Sequence, residues 1–298
     1  MPAERRPTLA LDHDARGYRY YRNAVERHWD PGDIALDVDR ERLRGMDDLG
    51  FDQLRTTLAL FGAGEQAVTE DLSPLAVVLD DPNDQLFVAS QLYEEAKHAD
   101  FFDRYWREVV HPVEEARTGG ATAPTDERWF PDDYVELFER NDRAMHRLLE
   151  EDTPENRARA YCHYHLVIEG ILAQTGYYGV QNSWDGSVPE LPELPGLVEG
   201  FTKIRQDEGR HVGFGMAKLK ELVESGAVEA ELLHETVNEL VPLTQGIVGE
   251  SAEEEGPGLG PADLTAYASS RHTQRMQQIV DASAEIPDVD ELTRLAGD

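Results

Sequence analysis

Apolar residues recur along this chain at three- and four-residue spacings, and strict alternation is scarce. That rhythm predicts helices rather than strands. Residues 1–45 read as an N-terminal arm with a short helix at about 16–28, closed by Asp30-Pro31-Gly32. A helix follows over about 47–70, and Ser73-Pro74 restarts a turn. A longer helix runs over about 84–110 and is expected to stop at Pro112. Residues 115–125, with Gly119-Gly120 and Pro124, read as a loop. Pro131 suits the first position of a helix to Glu151. Asp152-Thr153-Pro154-Glu155 starts the next, which reaches about Gly179. The proline-bearing stretch 182–196 is a connection. Further helices are predicted over about 196–225, 228–250 and 262–284, with an acidic Gly/Pro-rich loop at 253–261 and a mobile tail. No long linker divides the chain, so residues 1–298 read as one all-α domain: the arm (1–45), a bundle (46–250), and a C-terminal helix with its tail (251–298).

Two glutamates interrupt the apolar faces. Glu169 lies inside the run from His165 to Ala173, and Glu65 shares a helix face with Phe61 and Val68. A buried carboxylate has to be protonated, paired with an arginine or bound to a cation. The chain also carries four Glu-x-x-His pairs: Glu95/His98, Glu108/His111, Glu208/His211 and Glu231/His234. Residues three apart share a helix face, so such a pair can grip one ion. Glu108 points away from Glu95 on the same predicted helix, and His111 precedes a proline. Glu231/His234 follows no helix with a lone, apolar-embedded Glu. Both pairs read as surface coincidences.

The remaining residues fall in a repeated order: Glu65, then Glu95/His98, then Glu169, then Glu208/His211. Each half of the chain supplies a helix with one Glu and a helix with Glu-x-x-His. Four glutamates and two histidines so arranged build a dinuclear carboxylate site in a ferritin-like four-helix bundle, here with additional helices. The imidazoles favour transition metals over Mg or Ca. Asp207 can accept the second N–H of His98. His165, four residues before Glu169, is an alternative ligand that would break the two-half symmetry.

Charge narrows the surroundings more than the chemistry. Asp and Glu total 60 against 28 Lys and Arg, a formal net charge of -32, and only Lys97, Lys203, Lys218 and Lys220 are lysines. Such a surface repels nucleic acid and anionic membranes, and low lysine with excess acid points to a halophilic cytoplasm. Cys162 is the single cysteine, so no intrachain disulfide forms. The N-terminus carries no apolar leader, and no run of about 18 apolar residues is present, so a protein without a membrane span is expected.

These residues resemble the ribonucleotide reductase small-subunit superfamily, and more closely its ligand-binding oxidase branch, over about residues 20–250. Phe102 stands four residues after His98, where radical-forming small subunits place a tyrosine. Val68, three after Glu65, and Tyr164, five before Glu169, match the valine and tyrosine that the oxidase branch joins by an ether cross-link. No Tyr or Trp follows Glu285, and Arg205-Gln206-Asp207-Glu208-Gly209-Arg210-His211 is similar to the oxidase motif.

The resemblance implies manganese on Glu65, Glu95 and His98 and iron on Glu169, Glu208 and His211, or two irons, with the Glu-x-x-His carboxylates bridging. It implies O2 activation for a two-electron oxidation, and a long-chain fatty acid with its carboxylate on the metals. It places Trp29 on an electron route and Tyr177 near the ligand pocket. A homodimer and an electron donor belong to the same expectation. The rival readings are a reductase small subunit that starts a radical, a hydroxylase with a reductase partner, and ferritin-like metal storage.

Overall fold

The computed structural model describes residues 11–251 and 259–294. Most of the acidic loop expected at 253–261 and the two chain ends lie outside them. Among the described residues every regular element is helical. Helix α1 (Arg16–Glu26) leads to a tight turn in which Asp30 accepts the Gly32 N–H at 2.8 Å. A short α2 (Asp37–Leu43) then forms within the arm, where no helix was expected.

Side-chain caps open the helices that begin at Asp48, Pro82 and Pro154. Asp47 accepts the Gly50 N–H at 2.7 Å and opens α3 (Asp48–Asp71). After α4 (Ser73–Val78), Asp81 accepts the Asn83 N–H at 2.8 Å and opens α5 (Pro82–Tyr105), with Pro82 at its first position. The expected stop at Pro112 does not occur. The helix widens into π turns over Trp106–Val110 and continues as α6 (His111–Thr118). Pro112 falls in the first turn of α6, where a missing N–H is tolerated. Gly119, at φ 72, supplies the left-handed cap, so the loop begins there and not at Glu115.

Helix α7 (Asp132–Glu150) precedes α8 (Pro154–Tyr161), which Thr153 caps through the Asn156 N–H at 3.2 Å. The chain then runs as a π-helix over Cys162–Ala173 and returns to α geometry in α9 (Gln174–Trp184), past the expected end at Gly179. Next come α10 (Pro195–Glu224), α11 (Ala230–Ser251), α12 (Pro261–Val280) and α13 (Val289–Leu292). The segment read as a mobile tail thus carries a helix docked on α10. Gly209 and Gly213 let it approach: a Cβ on Gly209 would overlap Thr293, and one on Gly213 would lie 2.9 Å from Leu292 Cδ1.

Helix α3 packs along α5, and α10 along the π-helix and α9, while α5 and α10 also meet. Two apolar clusters result. One gathers Val68, Tyr164, Leu166 and Phe214; the other gathers Trp29, Phe101, Phe102, Tyr177 and Phe201. His98, beside Trp29 of the second cluster, and His211, beside Phe87 of the first, sit where the two meet.

Candidate metal centre

Helix α3 supplies Glu65, α5 supplies Glu95 and His98, the π-helix supplies Glu169, and α10 supplies Glu208 and His211. All six are buried, Glu65 the most open at 7% exposure. Their ligand atoms form two overlapping groups, Glu65, Glu95, His98 and Glu208, and Glu95, Glu169, Glu208 and His211; in each, the atoms lie within 4.8 Å of one another. Glu95 and Glu208 belong to both. His98 Nδ1 lies 3.3 Å from Glu65 Oε2, 3.4 Å from Glu95 Oε2 and 3.4 Å from Glu208 Oε1. His211 Nδ1 lies 3.0 Å from Glu95 Oε1, 3.3 Å from Glu169 Oε1 and 3.5 Å from Glu208 Oε2. Each imidazole therefore turns Nδ1 inward. His165 belongs to neither group, and its Nε2 lies 3.4 Å from Gln91 Oε1. Glu108 is held by Arg104, and the His111 Nε2 faces the Thr122 carbonyl, so that pair stands apart as well. Glu231/His234 also lies outside both groups.

Four carboxylates in a dry pocket repel one another. Burial pushes Glu65 well above the usual carboxylate range, Glu169 up to about 8, and Glu208 upward as well. Burial also acts on Glu95, but His211 and His98 outweigh it and hold Glu95 well below that range. Burial disfavours both imidazolium ions, yet the carboxylates raise His98 and His211 well above the ordinary value. Positive charge is what this pocket wants. Glu169 Oε2 and Glu208 Oε2 are buried with no hydrogen-bond partner, a state that bound cations relieve. Mixed carboxylate and imidazole donors at this spacing fit two divalent transition-metal ions.

A further layer orients the six. The His98 Nε2 lies 3.1 Å from Asp207 Oδ2, and the His211 Nε2 lies 2.9 Å from Glu94 Oε2. Arg210 ties Asp207 to Glu94. Burial works against the charge on Asp207, but His98, Arg210 and Lys97 outweigh it and hold the carboxyl well below its usual range. Trp29 Nε1 donates to Asp207 Oδ2 at 2.8 Å. Gln91 Nε2 donates to Glu169 Oε1 at 3.1 Å and lies 3.4 Å from the Tyr164 hydroxyl.

A cavity opens beside the six. Glu65, Glu95, Glu169 and Glu208 line one end together with Val68 and Tyr164, and Phe61, Leu172 and Tyr177 continue it. Tyr164 donates to Glu95 Oε1 at 2.7 Å, and burial with Glu169 and Glu95 keeps its phenol protonated. Tyr177 is buried and stacks on Phe61 at 5.3 Å between ring centroids.

Residues 13–280 match the family described as ribonucleotide reductase, small chain. The chain belongs to the ribonucleotide reductase small-chain family. Two solved structures of an R2-like ligand-binding oxidase are similar to this chain. One is a tyrosine-to-phenylalanine variant with an aerobically reconstituted Mn/Fe cofactor, at a TM-score of 0.78. The other is a valine-to-leucine variant reconstituted anaerobically, at 0.79. Each is 27% identical, and the match covers 90% of this chain and 95% of that chain. The fold is accordingly a ferritin-like bundle with extra helices.

Four residues around the centre escaped the sequence reading: Glu94, Gln91, Arg210 and Lys97. Glu94 had a signal. It precedes Glu95 as Asp207 precedes Glu208. The others are polar residues on faces that only the packed helices reveal as buried.

Proposed function

We propose that this chain is a dinuclear-metal oxidase that activates O2 for a two-electron oxidation. Manganese would be held by Glu65, Glu95 and His98, and iron by Glu169, Glu208 and His211; two irons would suit the same donors. When bound, the pair supplies the electrons and open coordination positions that O2 reduction needs. Glu95 and Glu208 each reach both histidines, so either carboxylate would be available to both ions. Asp207 and Glu94 fix the imidazoles with Nδ1 inward. The apolar walls keep water from the reacting atoms.

The observation that carries this reading is the shared lining of the cavity. Val68 and Tyr164 border the same space as four of the six donors, and solved structures of an R2-like ligand-binding oxidase with a Mn/Fe cofactor are similar to this chain. Val68 and Tyr164 are the pair to be joined. One ether bond forms, the Val68 C–H and Tyr164 O–H bonds break, and two electrons with two protons pass to oxygen. A long-chain fatty acid suits the cavity, its carboxylate toward the ions and its chain along Phe61, Leu172 and Tyr177 toward Gln53. Helix α3 lines it from Val68 back to Gln53, roughly 22 Å at 1.5 Å per residue.

The test is peptide mass spectrometry after manganese and iron loading in air. The expected product is one joined peptide, lighter by two hydrogens, holding Val68 and Tyr164. Separate peptides in fully loaded protein would remove the cross-link. A radical-generating small subunit is the second reading, favoured by the hydrogen-bonded line Trp29–Asp207–His98. Phe102 argues against it, since this side chain stacks on Phe61 and has no phenol to oxidise. Stimulation of nucleotide reduction by a large subunit would select that reading.

The setting belongs to the same proposal. The charge of -32 and the four lysines suit a salty cytoplasm, and no helix among the described residues is long and apolar enough to cross a membrane. Residues 1–298 act as one unit, paired as a homodimer and served by an electron donor.

A further inference from the structure

Lys97 is an unusual lysine. Its side chain is 3% exposed, in a chain that carries only four lysines. The ammonium lies 2.8 Å from Asp207 Oδ2 and 4.7 Å from the centre of the Trp29 ring. The same Asp207 oxygen takes the Trp29 N–H at 2.8 Å and faces His98 Nε2 at 3.1 Å. The Trp29 ring also stacks against His98, with centroids 6.2 Å apart. An easily oxidised indole is thus wired through one carboxylate to an imidazole of the centre.

A carboxylate at that distance would favour an indole that has lost an electron. A cation over the ring does the reverse. It is attracted to the neutral ring by the quadrupole and repelled once the ring is positive. At 4.7 Å, with the effective screening usual in proteins, that repulsion shifts the oxidation equilibrium on the order of a hundredfold. Asp207 already has Arg210, His98 and Trp29 as partners, so hydrogen bonding alone does not call for a lysine.

We propose that Lys97 is an electrostatic gate that keeps Trp29 reduced, so that oxidising equivalents made at the centre go to the cavity side, toward Val68, Tyr164 or a bound substrate. It acts through Trp29 and is a positioning residue, not a catalytic one. In the event it suppresses, one electron leaves the indole for the oxidant, dioxygen supplied to the centre, while the N–H proton stays on Nε1 against Asp207. The proposal rests on the oxidase reading for what the gate protects.

The deciding experiment needs no metal. Metal-stripped protein is exposed to a flash-generated one-electron photo-oxidant, and tryptophan radical absorption is compared with and without Trp29→Phe. In wild type, removing Trp29 is expected to leave the radical yield unchanged. In Lys97→Met, a Trp29-dependent radical should rise at least tenfold, and Lys97→Arg, which retains the charge, should return it to the wild-type level. Lys97→Gln, which can still donate to Asp207 without a charge, answers the same question if the methionine variant does not fold. No rise in either neutral variant, a wild-type yield already as high as theirs, or an arginine variant that behaves like methionine would each overturn the gate. If neither neutral variant folds, the wild-type comparison decides: a Trp29-dependent radical overturns the proposal, and none supports it. Loaded protein in air gives a second readout, since Lys97→Met should lower the Val68–Tyr164 cross-link and Trp29→Phe in that background should restore it. If loaded wild type makes no cross-link at all, the oxidase reading fails, and the flash experiment still judges Lys97.

Discussion

Glu94 faces His211 Nε2 at 2.9 Å, and Asp207 faces His98 Nε2 at 3.1 Å. Each acid stands one residue before the glutamate of its own Glu-x-x-His pair and serves the histidine of the other. The crossing follows from helix geometry: neighbours in sequence are about 100° apart, so one points at the ions and the next at the opposite helix. Removing such an acid lets the imidazole turn. Glu94→Ala is therefore expected to weaken binding of the ion at His211 by roughly 10- to 100-fold, read by metal titration. Asp207 was legible because an aspartate directly before a ligating glutamate has an evident job. Glu94 carried the same signal but was hidden by abundance, since Glu114-Glu115 and Glu150-Glu151 are identical doublets with no tie to the centre. The six inward residues stood out for the opposite reason: a carboxylate inside an apolar run contradicts its surroundings, and that contradiction is visible without coordinates.

At the scale of elements, the helices and their order were readable from spacing, but the π-helical turns were not. Over Cys162–Ala173 most residues are buried, so apolar spacing marks no single helix face there and gives no sign of the wider turn. Pro112 misled for a related reason: a proline marks a helix end only if the turn before it is regular. The docking of α13 rests on Gly209 and Gly213, whose meaning depends on a partner distant in sequence. One tie between elements makes a pH prediction. Asp71 on α3 accepts from Asn141 Nδ2 on α7 at 2.9 Å, and burial pushes its carboxyl from 3.8 up to about 6. The folded carboxyl holds its proton more tightly than the unfolded one, so folding takes up a proton between about pH 4 and about pH 6. The stability it contributes is complete below that window and is lost as pH rises through it. Asp71→Asn keeps an acceptor for Asn141 without the charge. It should flatten this fall and leave the protein more stable at neutral pH, as urea midpoints across the window would show.

For the whole molecule, the charge balance was available from composition alone, whereas the cavity was not, because its walls come from α3, α5, α7, the π-helix, α9, α10, α11 and α12 together. A formal charge of -32 makes the folded chain repel itself. Salt screens that repulsion, with a reach of about 10 Å at 0.1 M and about 3 Å at 1 M. The melting temperature should accordingly rise from low to molar salt, and a flat or falling profile in thermal scans would count against a salt-adapted surface. The interleaving of the two donor groups has a different consequence. Cut between α7 and α8, the chain would leave three of the six inward residues on each piece, and neither piece would own a complete set. Ions seated there would act as a clasp between the two halves of the chain. Because a chain emerges from its N-terminus first, the clasp has nothing to close on until α10 has been made. An unfinished copy of this protein therefore lacks part of both donor groups, and neither is complete until the bundle around it has been made.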